Sequence, residues 1–352
     1  MSSTRSPTDV TATEWVALLS PWPEEFGLER MQALLDALGN PQRAFPSVHV
    51  VGTNGKSTAT RTIAALLRAD GLEVGAYTSP HVSGWHERLD TDPETFERAV
   101  AGIRAAAEAA NATQFEALTA AALAHFAERG VGAAVVEAGL GGRLDATNVV
   151  DAPVVLLTNV GLEHTDVLGD TREQIAREKL AVARPGATVV LPDDEWRGLV
   201  PDASVRFGGA REAVEAFVGH PVAAEVGISL PGRLERRGPD EVRDGAHTPE
   251  GVAWLLDHLE PRNHVIVASI LRDKDADAML AGLSAAGHTL IATRSSNPRA
   301  LDERDLAARA KPYFEHVEAV ADPARALERA RALGPVLVTG SLYLLADLHG
   351  AE

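Results

Sequence analysis

Short apolar runs alternate with helical patterns along most of this chain. Val48-His49-Val50-Val51 is a β-branched run, and in the segment 56–70 Ala59, Ile63, Leu66 and Leu67 fall on one helical face. A strand is predicted over 73–77. Asp92-Pro93 reads as an N-cap followed by proline at the first helical position, opening a helix to about 110. A helix near 114–129 leads into Ala133-Ala134-Val135-Val136, and Val154 to Leu157 is another apolar run. Strands apolar on both faces, set between helices, predict a parallel sheet covered on both sides. Thr171 opens a helix to about 183, and Thr188 to Leu191 is a strand after the Pro185-Gly186 turn. Upstream, helices are predicted near 11–19 and 26–38, the second stopped by Gly39-Asn40-Pro41, behind a polar tail at 1–10.

Periodicity fades between about 192 and 230. Pro231-Gly232-Arg233 and Arg236-Arg237-Gly238-Pro239 read as an interdomain connection. Alternation then resumes with helix 249–259, strand 264–268, helix 275–283, strand 288–292, helices 302–310 and 322–332, and strand 335–338. A second, smaller α/β domain is expected there.

Composition narrows the partners. A length of 352 residues suits two packed domains. Lys+Arg 33 against Asp+Glu 50 gives a net charge of −17, which argues against nucleic acid and anionic membrane as partners. No run approaches the roughly 18 apolar residues of a spanning helix, and Met1 to Pro7 carries no apolar core for export. Cysteine is absent, which removes disulfides, thiol nucleophiles and iron–sulfur clusters and fits a reducing cytosol. The expectation is a cytoplasmic enzyme or binding protein in which any phosphate is held by a local device.

That device is legible. Gly52-Thr53-Asn54-Gly55-Lys56-Ser57-Thr58 lies between a predicted strand and a predicted helix, the setting of a phosphate loop. Small residues let backbone N–H groups turn toward an anion, and the helix presents its positive end. Lys56 can reach the terminal phosphoryl oxygens, and a hydroxyl from Ser57 or Thr58 can meet a magnesium shell. The eight-residue Walker pattern fails, because Val50 stands where its first glycine belongs. Gly139-Leu140-Gly141-Gly142 fails as a dinucleotide fingerprint, since Leu144 occupies the last glycine position.

These residues resemble a family. The shortened loop is similar to that of the Mur ligases and of folylpolyglutamate synthase/dihydrofolate synthase. The second resemblance extends to Phe26-Gly27-Leu28-Glu29-Arg30, Tyr77-Thr78-Ser79-Pro80-His81 and Glu87-Arg88, and to Phe115-Glu116 with Thr119. It takes in the run Glu137 to Asn148, Glu163-His164-Thr165 and Ile175-Ala176-Arg177-Glu178-Lys179. Further on it includes Asp244-Gly245-Ala246-His247 and Gly340-Ser341-Leu342-Tyr343. It implies a P-loop-containing parallel-sheet ATPase domain over 1–232 and a Rossmann-like glutamate-ligase domain over 233–352. The implied reaction is ATP-dependent: a pteroate or folate carboxylate becomes an acyl phosphate, and the amine of L-glutamate attacks it.

The resemblance also implies roles. Gly52 to Thr58, with Arg233 and Asp244, would hold ATP. Ser79, Glu137 and His164 match magnesium ligands, with Ser57 in the shell, and Lys179 matches a carbamylated lysine that assists a second Mg²⁺. Lys56, Lys179, His247 and Ser341 would serve catalysis, and the resemblance implies a monomer. Each position has a plainer reading as well. Glu137 could be a strand-end carboxylate, His164 a structural histidine, and Lys179 a helical partner of Glu178 or Glu173. Arg233 could be a linker arginine, Asp244 a turn aspartate, and His247 and Ser341 helix caps.

The sequence departs from the family at Ser57-Thr58 (usually Gly-Ser), at Leu180-Ala181-Val182 (usually Ala-Gly-Ile) and at Thr248 (usually Asn). The short 192–230 stretch lacks the segment associated with adenine, with His220 as its one candidate remnant. Two competing readings remain: a related ligase joining an amino acid to a different carboxylate, and a nucleotide-binding protein that has lost ligation.

Overall fold

The computed structural model describes residues 10–349, so the polar-tail reading lies almost wholly outside the described residues. The chain forms two compact units, one running to His81 and from Trp85 to Ile228, the other comprising 82–84 and Ser229 onward.

In the first unit, β1 (Ser47–Val51), β2 (Val74–Tyr77), β3 (Ala133–Glu137), β4 (Val154–Leu157), β5 (Thr188–Leu191) and β6 (Ser204–Phe207) form one parallel sheet. The strand order is β2-β3-β1-β4-β5-β6. Its helices are α1 (Ala12–Leu18), α2 (Glu29–Ala37), α3 (Lys56–Ala69), α4 (Pro93–Ala109), α5 (Gln114–Arg129), α6 (Thr165–Leu168), α7 (Arg172–Leu180) and α8 (Ala210–Val218). Val48 and Val50 serve one face of the sheet, where Ile63, Leu66 and Leu67 of α3 and Ala213 and Val214 of α8 complete a core. Val51, Val155, Leu157 and Val189 pack with Ile175, Ala176 and Leu180 of α7. Tyr77, Ala134 and Val136 pack with α1, α2, α4 and α5. Each fully buried Val or Leu contributes roughly 1.5–3 kcal/mol, so polar residues inside such strands need a reason.

The strand order reverses around β1, with β2 and β3 on one side and β4 to β6 on the other. In open α/β sheets ligands bind outside the carboxyl ends of the strands at such a reversal. The loops after β1, β3 and β4 therefore converge there.

The second unit holds β7 (Glu235–Arg236), β8 (Glu241–Arg243), β9 (Val265–Ala268), β10 (Thr289–Ala292), β11 (His316–Ala319) and β12 (Val336–Thr339), in the order β11-β10-β9-β12-β8-β7. All pairs are parallel except β7 with β8. Helices α9 (Pro249–His258), α10 (Ala276–Leu283), α11 (Glu303–Ala310), α12 (Pro323–Arg331) and α13 (Leu342–His349) surround it. No helix among the described residues is long and apolar enough to cross a membrane.

Several elements differ from expectation. The aperiodic 192–230 stretch contains β6 and α8, and β11 was not foreseen; both strands lie at sheet edges with mostly exposed residues, so neither carries an apolar alternation. The supposed connection at 231–239 includes β7. The helix expected to reach 183 ends at Leu180. Asp275 caps α10 by accepting from Ala278 N–H at 3.0 Å.

Candidate active site

The phosphate loop begins where glycine is required. Gly52 has φ 148°, and a Cβ there would collide with Thr158 Oγ1; Gly55, at φ 79°, turns the chain into α3. Val50, at the failed Walker position, is fully buried in the core beneath α3. The loop is laced to the segment after β4. Thr53 N–H donates to Asn159 O at 3.1 Å, Asn54 N–H to Asn159 Oδ1 at 2.8 Å, and the Thr158 hydroxyl to Asn54 O at 2.7 Å. The N–H groups of Thr53 and Asn54 are thus spent on bracing. The orphan donors left for an anion are those opening α3, at Lys56, Ser57 and Thr58.

Three of the expected ligand positions meet at Glu137, which ends β3 and is 1% exposed. Ser57 Oγ donates to Glu137 Oε1 at 3.0 Å, and Ser79 N–H donates to Oε2 at 3.0 Å. Thr58 is exposed, so Ser57 is the hydroxyl that faces the carboxylate. A buried carboxylate beside the Ser57 hydroxyl, which itself lies 3.5 Å from Ser79 O, is an oxygen donor set suited to a hard divalent cation. His164 opens α6 in the left-handed region, with φ 44°. Among the described residues no three His, Asp or Glu side chains gather at one point, so any cation here depends on hydroxyl, water or phosphate oxygens as well.

Two lysines share one carbonyl. Lys56 Nζ donates to Gly52 O at 2.9 Å and to Thr53 O at 3.1 Å, while Lys179 Nζ donates to Gly52 O at 2.9 Å and to Glu163 Oε1 at 2.6 Å. Lys179 is 1% exposed. Burial first, then the Lys56 cation, push its amine down to about 8, with Glu163 pulling the other way. Burial would raise Glu163, but Lys56 and Lys179 outweigh it and hold the carboxylate below its usual range. The plainer pairing of Lys179 with Glu178 or Glu173 is not formed, since those carboxylates bind Arg143 and Arg177.

Helix α7 is seated by the turn after Glu137. Arg143 N–H donates to Glu178 O at 3.0 Å, and a Cβ on Gly142 would lie 2.6 Å from Lys179 O and 2.7 Å from Glu178 O. Backbone atoms cannot yield as a side chain does. Gly142→Ala is expected to cost about 1–3 kcal/mol and to lower kcat by shifting Lys179. Thermal unfolding and steady-state rates check it; a variant with unchanged Tm and kcat would show that the turn tolerates displacement.

In the second unit, Asp244 accepts Leu234 N–H at 2.8 Å and Ala246 N–H at 2.8 Å, and its carboxyl is raised by burial. It braces the turn that carries Arg233. Gly245 is packed so tightly that a Cβ would lie 2.8 Å from Arg233 Nη1 and would collide with Leu342. The sequence positions 233, 244–247 and 341–342 are thereby neighbours. His247 Nδ1 lies 2.8 Å from Gly245 O, and Ser341 Oγ accepts Tyr343 N–H at 3.1 Å.

His220 falls elsewhere. Its Nε2 lies 3.3 Å from Asp70, the C-cap of α3, so the 14-residue helix separates it from the phosphate loop by roughly 20 Å. It takes no part in the phosphate site.

Sequence reasoning gave no role to several residues that shape the site. Glu163 and Asn159 hold Lys179 and the phosphate loop. Arg61 of α3 donates to Thr78 Oγ1 at 3.2 Å and also binds Asp90 and Glu87 O, clamping the loop that carries Ser79. The available signal was its spacing, one helical turn after Ser57 on the same face.

His49 is the polar exception inside β1. It is fully buried, its Nε2 lies 2.9 Å from Thr147 Oγ1, and burial first, then Arg184, push its pKa from 6.5 down to about 3. The folded chain keeps it neutral while the unfolded chain protonates it below 6.5. This contribution is whole above pH 6.5 and is lost by about 1.4 kcal/mol per unit as pH falls toward 3. Denaturant unfolding at pH 7 and 5 should show wild type losing about 2 kcal/mol more than His49→Gln. Equal losses would show that His49 does not couple folding to pH.

The comparisons with known proteins agree with this geometry. Residues 50–213 match the Mur ligase middle domain and residues 232–342 the Mur ligase, glutamate ligase domain. A phosphate loop, a strand-end glutamate and that second domain define a Mur-type ligase. The chain is 32% identical to the dihydrofolate synthase/folylpolyglutamate synthase of Mycobacterium tuberculosis, over 83% of this chain and 80% of that one. An Escherichia coli FolC in complex with DHPP and ADP superposes with TM-score 0.85 at 26% identity, covering 99% of each chain. A bifunctional folylpolyglutamate synthase/dihydrofolate synthase with Mn, AMPPNP and L-glutamate bound gives TM-score 0.84 at 26% identity, over 97% of this chain and 98% of that one. This chain belongs to the dihydrofolate synthase/folylpolyglutamate synthase family of ATP-dependent amide ligases.

Proposed function

We propose that this protein adds L-glutamate to the carboxylate of dihydropteroate, to the glutamyl tail of reduced folates, or to both, at the expense of ATP. The observation that carries the reading is the convergence of Ser57 and Ser79 on Glu137 beside two lysines bound to Gly52 O. Such an array serves phosphoryl transfer, where charge neutralisation and positioning do most of the work.

The orphan N–H groups opening α3 bind the phosphates, and Lys56 turns from the loop carbonyls to the γ-phosphoryl group. Arg233 and Asp244 serve the nucleotide. Glu137, with Ser57, Ser79 and His164, would hold one Mg²⁺, and Lys179 as its carbamate would assist a second. Bound magnesium would neutralise charge on the phosphate oxygens. The acceptor carboxylate oxygen attacks the γ-phosphorus and ADP leaves. The amine of glutamate then attacks the acyl carbon, phosphate departs and the amine loses a proton. His247 and Ser341 serve this second step. The ATP-binding part is taken as 1–232 and the glutamate-ligase part as 233–352, in a cytoplasmic monomer.

ATP-dependent phosphate release with Mg²⁺ and L-glutamate, offered dihydropteroate or a reduced monoglutamyl folate in parallel, tests the reading, with mass spectrometry of the product. Glutamylated product from either acceptor supports it and shows which addition occurs. ATP binding without product from either acceptor refutes it in favour of a different carboxylate substrate.

A further inference from the structure

We infer that His49 is a positioning residue for the turn that follows Glu137, acting through Thr147 and Asp145. What the positioned groups accomplish rests on the ligase reading above; the hydrogen-bond chain stands without it. Asp145 is 5% exposed, and its carboxylate gathers donors. Oδ2 accepts Leu140 N–H at 2.7 Å, and Oδ1 accepts Thr147 N–H at 3.0 Å and the Thr147 hydroxyl. Burial raises the Asp145 carboxyl, but the donors gathered on its two oxygens pull the other way and favour the ionised form, which has no proton to give. The single hydroxyl proton of Thr147 therefore points to Asp145, and its oxygen must accept from its other neighbour. That neighbour is His49 Nε2, at 2.9 Å. The donor directions fix His49 as the neutral Nε2–H tautomer and leave Nδ1 buried without a partner.

Burying an unpartnered ring nitrogen costs about 1–3 kcal/mol, a penalty that a valine at this β1 position would not carry. The compensation is registration. His49 stands three residues before Gly52, on the strand that opens the phosphate loop. Leu140 stands three residues after Glu137. The far end of the same turn meets α7, where Arg143 N–H binds Glu178 O and Gly142 lies against the Lys179 carbonyl. One buried chain thus ties the phosphate-loop strand, the turn leaving Glu137 and the Lys179 helix. Outer partners of metal-binding groups are typically worth about 10–100-fold in metal affinity or activity.

Thr147→Val removes the centre of the chain, and Thr147→Ser keeps its hydroxyl. With ADP bound, calorimetric titration with Mn²⁺ should show affinity about tenfold weaker in Thr147→Val and within about twofold of wild type in Thr147→Ser. In turnover, kcat should fall by a similar factor while KM for ATP holds. The titration needs no ligation, so it reads the positioning even if the proposed reaction is wrong. If Thr147→Val fails to fold, His49→Gln, which retains a donor, against His49→Phe, which does not, decides by the same titration. Mn²⁺ affinity unchanged in the variant that lacks the donor or hydroxyl, whatever its Tm, overturns the inference.

Discussion

Lys56→Ala is expected to lower turnover by about 10³-fold or more while leaving the fold intact, because on the proposed reading it removes the cation that would face the transferred phosphoryl group. Lys56 Nζ rests on the carbonyls of Gly52 and Thr53, at 2.9 and 3.1 Å. Those acceptors hold the ammonium beside the mouth of α3, so a phosphate arriving at the helix N-terminus exchanges one set of oxygens for another. The loop itself does not depend on Lys56, since Asn159 and Thr158 brace it independently. Circular dichroism and Tm should therefore stay near wild type while phosphate release disappears. Near wild-type turnover in this variant would remove the phosphate-loop assignment.

Lys179→Ala should be almost as damaging, with kcat down about 10²-fold or more, and partly recovered by added formate or acetate. Carbamylation joins a neutral amine to CO₂ and releases a proton. An amine with an ordinary value near 10.5 is almost never neutral at pH 7, whereas one lowered to about 8 is neutral roughly a tenth of the time. The resulting carbamate would face the Glu163 carboxylate, now 2.6 Å from the nitrogen. Two anions that close are tolerable only with cations beside them, which Lys56 and a bound divalent ion would supply. A small carboxylate diffusing into the alanine cavity replaces the lost anion but not its tether, hence partial rescue. Full activity without additives would exclude the carbamate.

The sheet that positions this site was legible because β1, β3 and β4 are buried on both faces and read as β-branched and apolar runs, interrupted within β1 by His49. The glycine-rich turn between β1 and α3 and the strand-end position of Glu137 were legible for the same reason, standing at the ends of those runs. Edge strands β6 and β11 were not, since their mostly exposed residues leave no period to detect. The braces were also hidden. Lys179 reaches Gly52 across 127 positions, and His49 reaches Thr147 across 98, separations at which local pattern carries no information. Ser57 rather than Thr58 became the relevant hydroxyl only when α3 fixed which one faced Glu137.

The central claim is that an acceptor carboxylate is activated by phosphorylation before glutamate attacks, and an isotope reads it directly. An acceptor labelled with ¹⁸O in its carboxylate would pass through single-turnover ligation, with the released phosphate analysed by mass spectrometry. The account predicts one ¹⁸O in each phosphate, because the carboxylate oxygen that attacks the γ-phosphorus leaves with it. Amide product accompanied by unlabelled phosphate would contradict the acyl-phosphate route and the roles assigned to Lys56 and Lys179 with it.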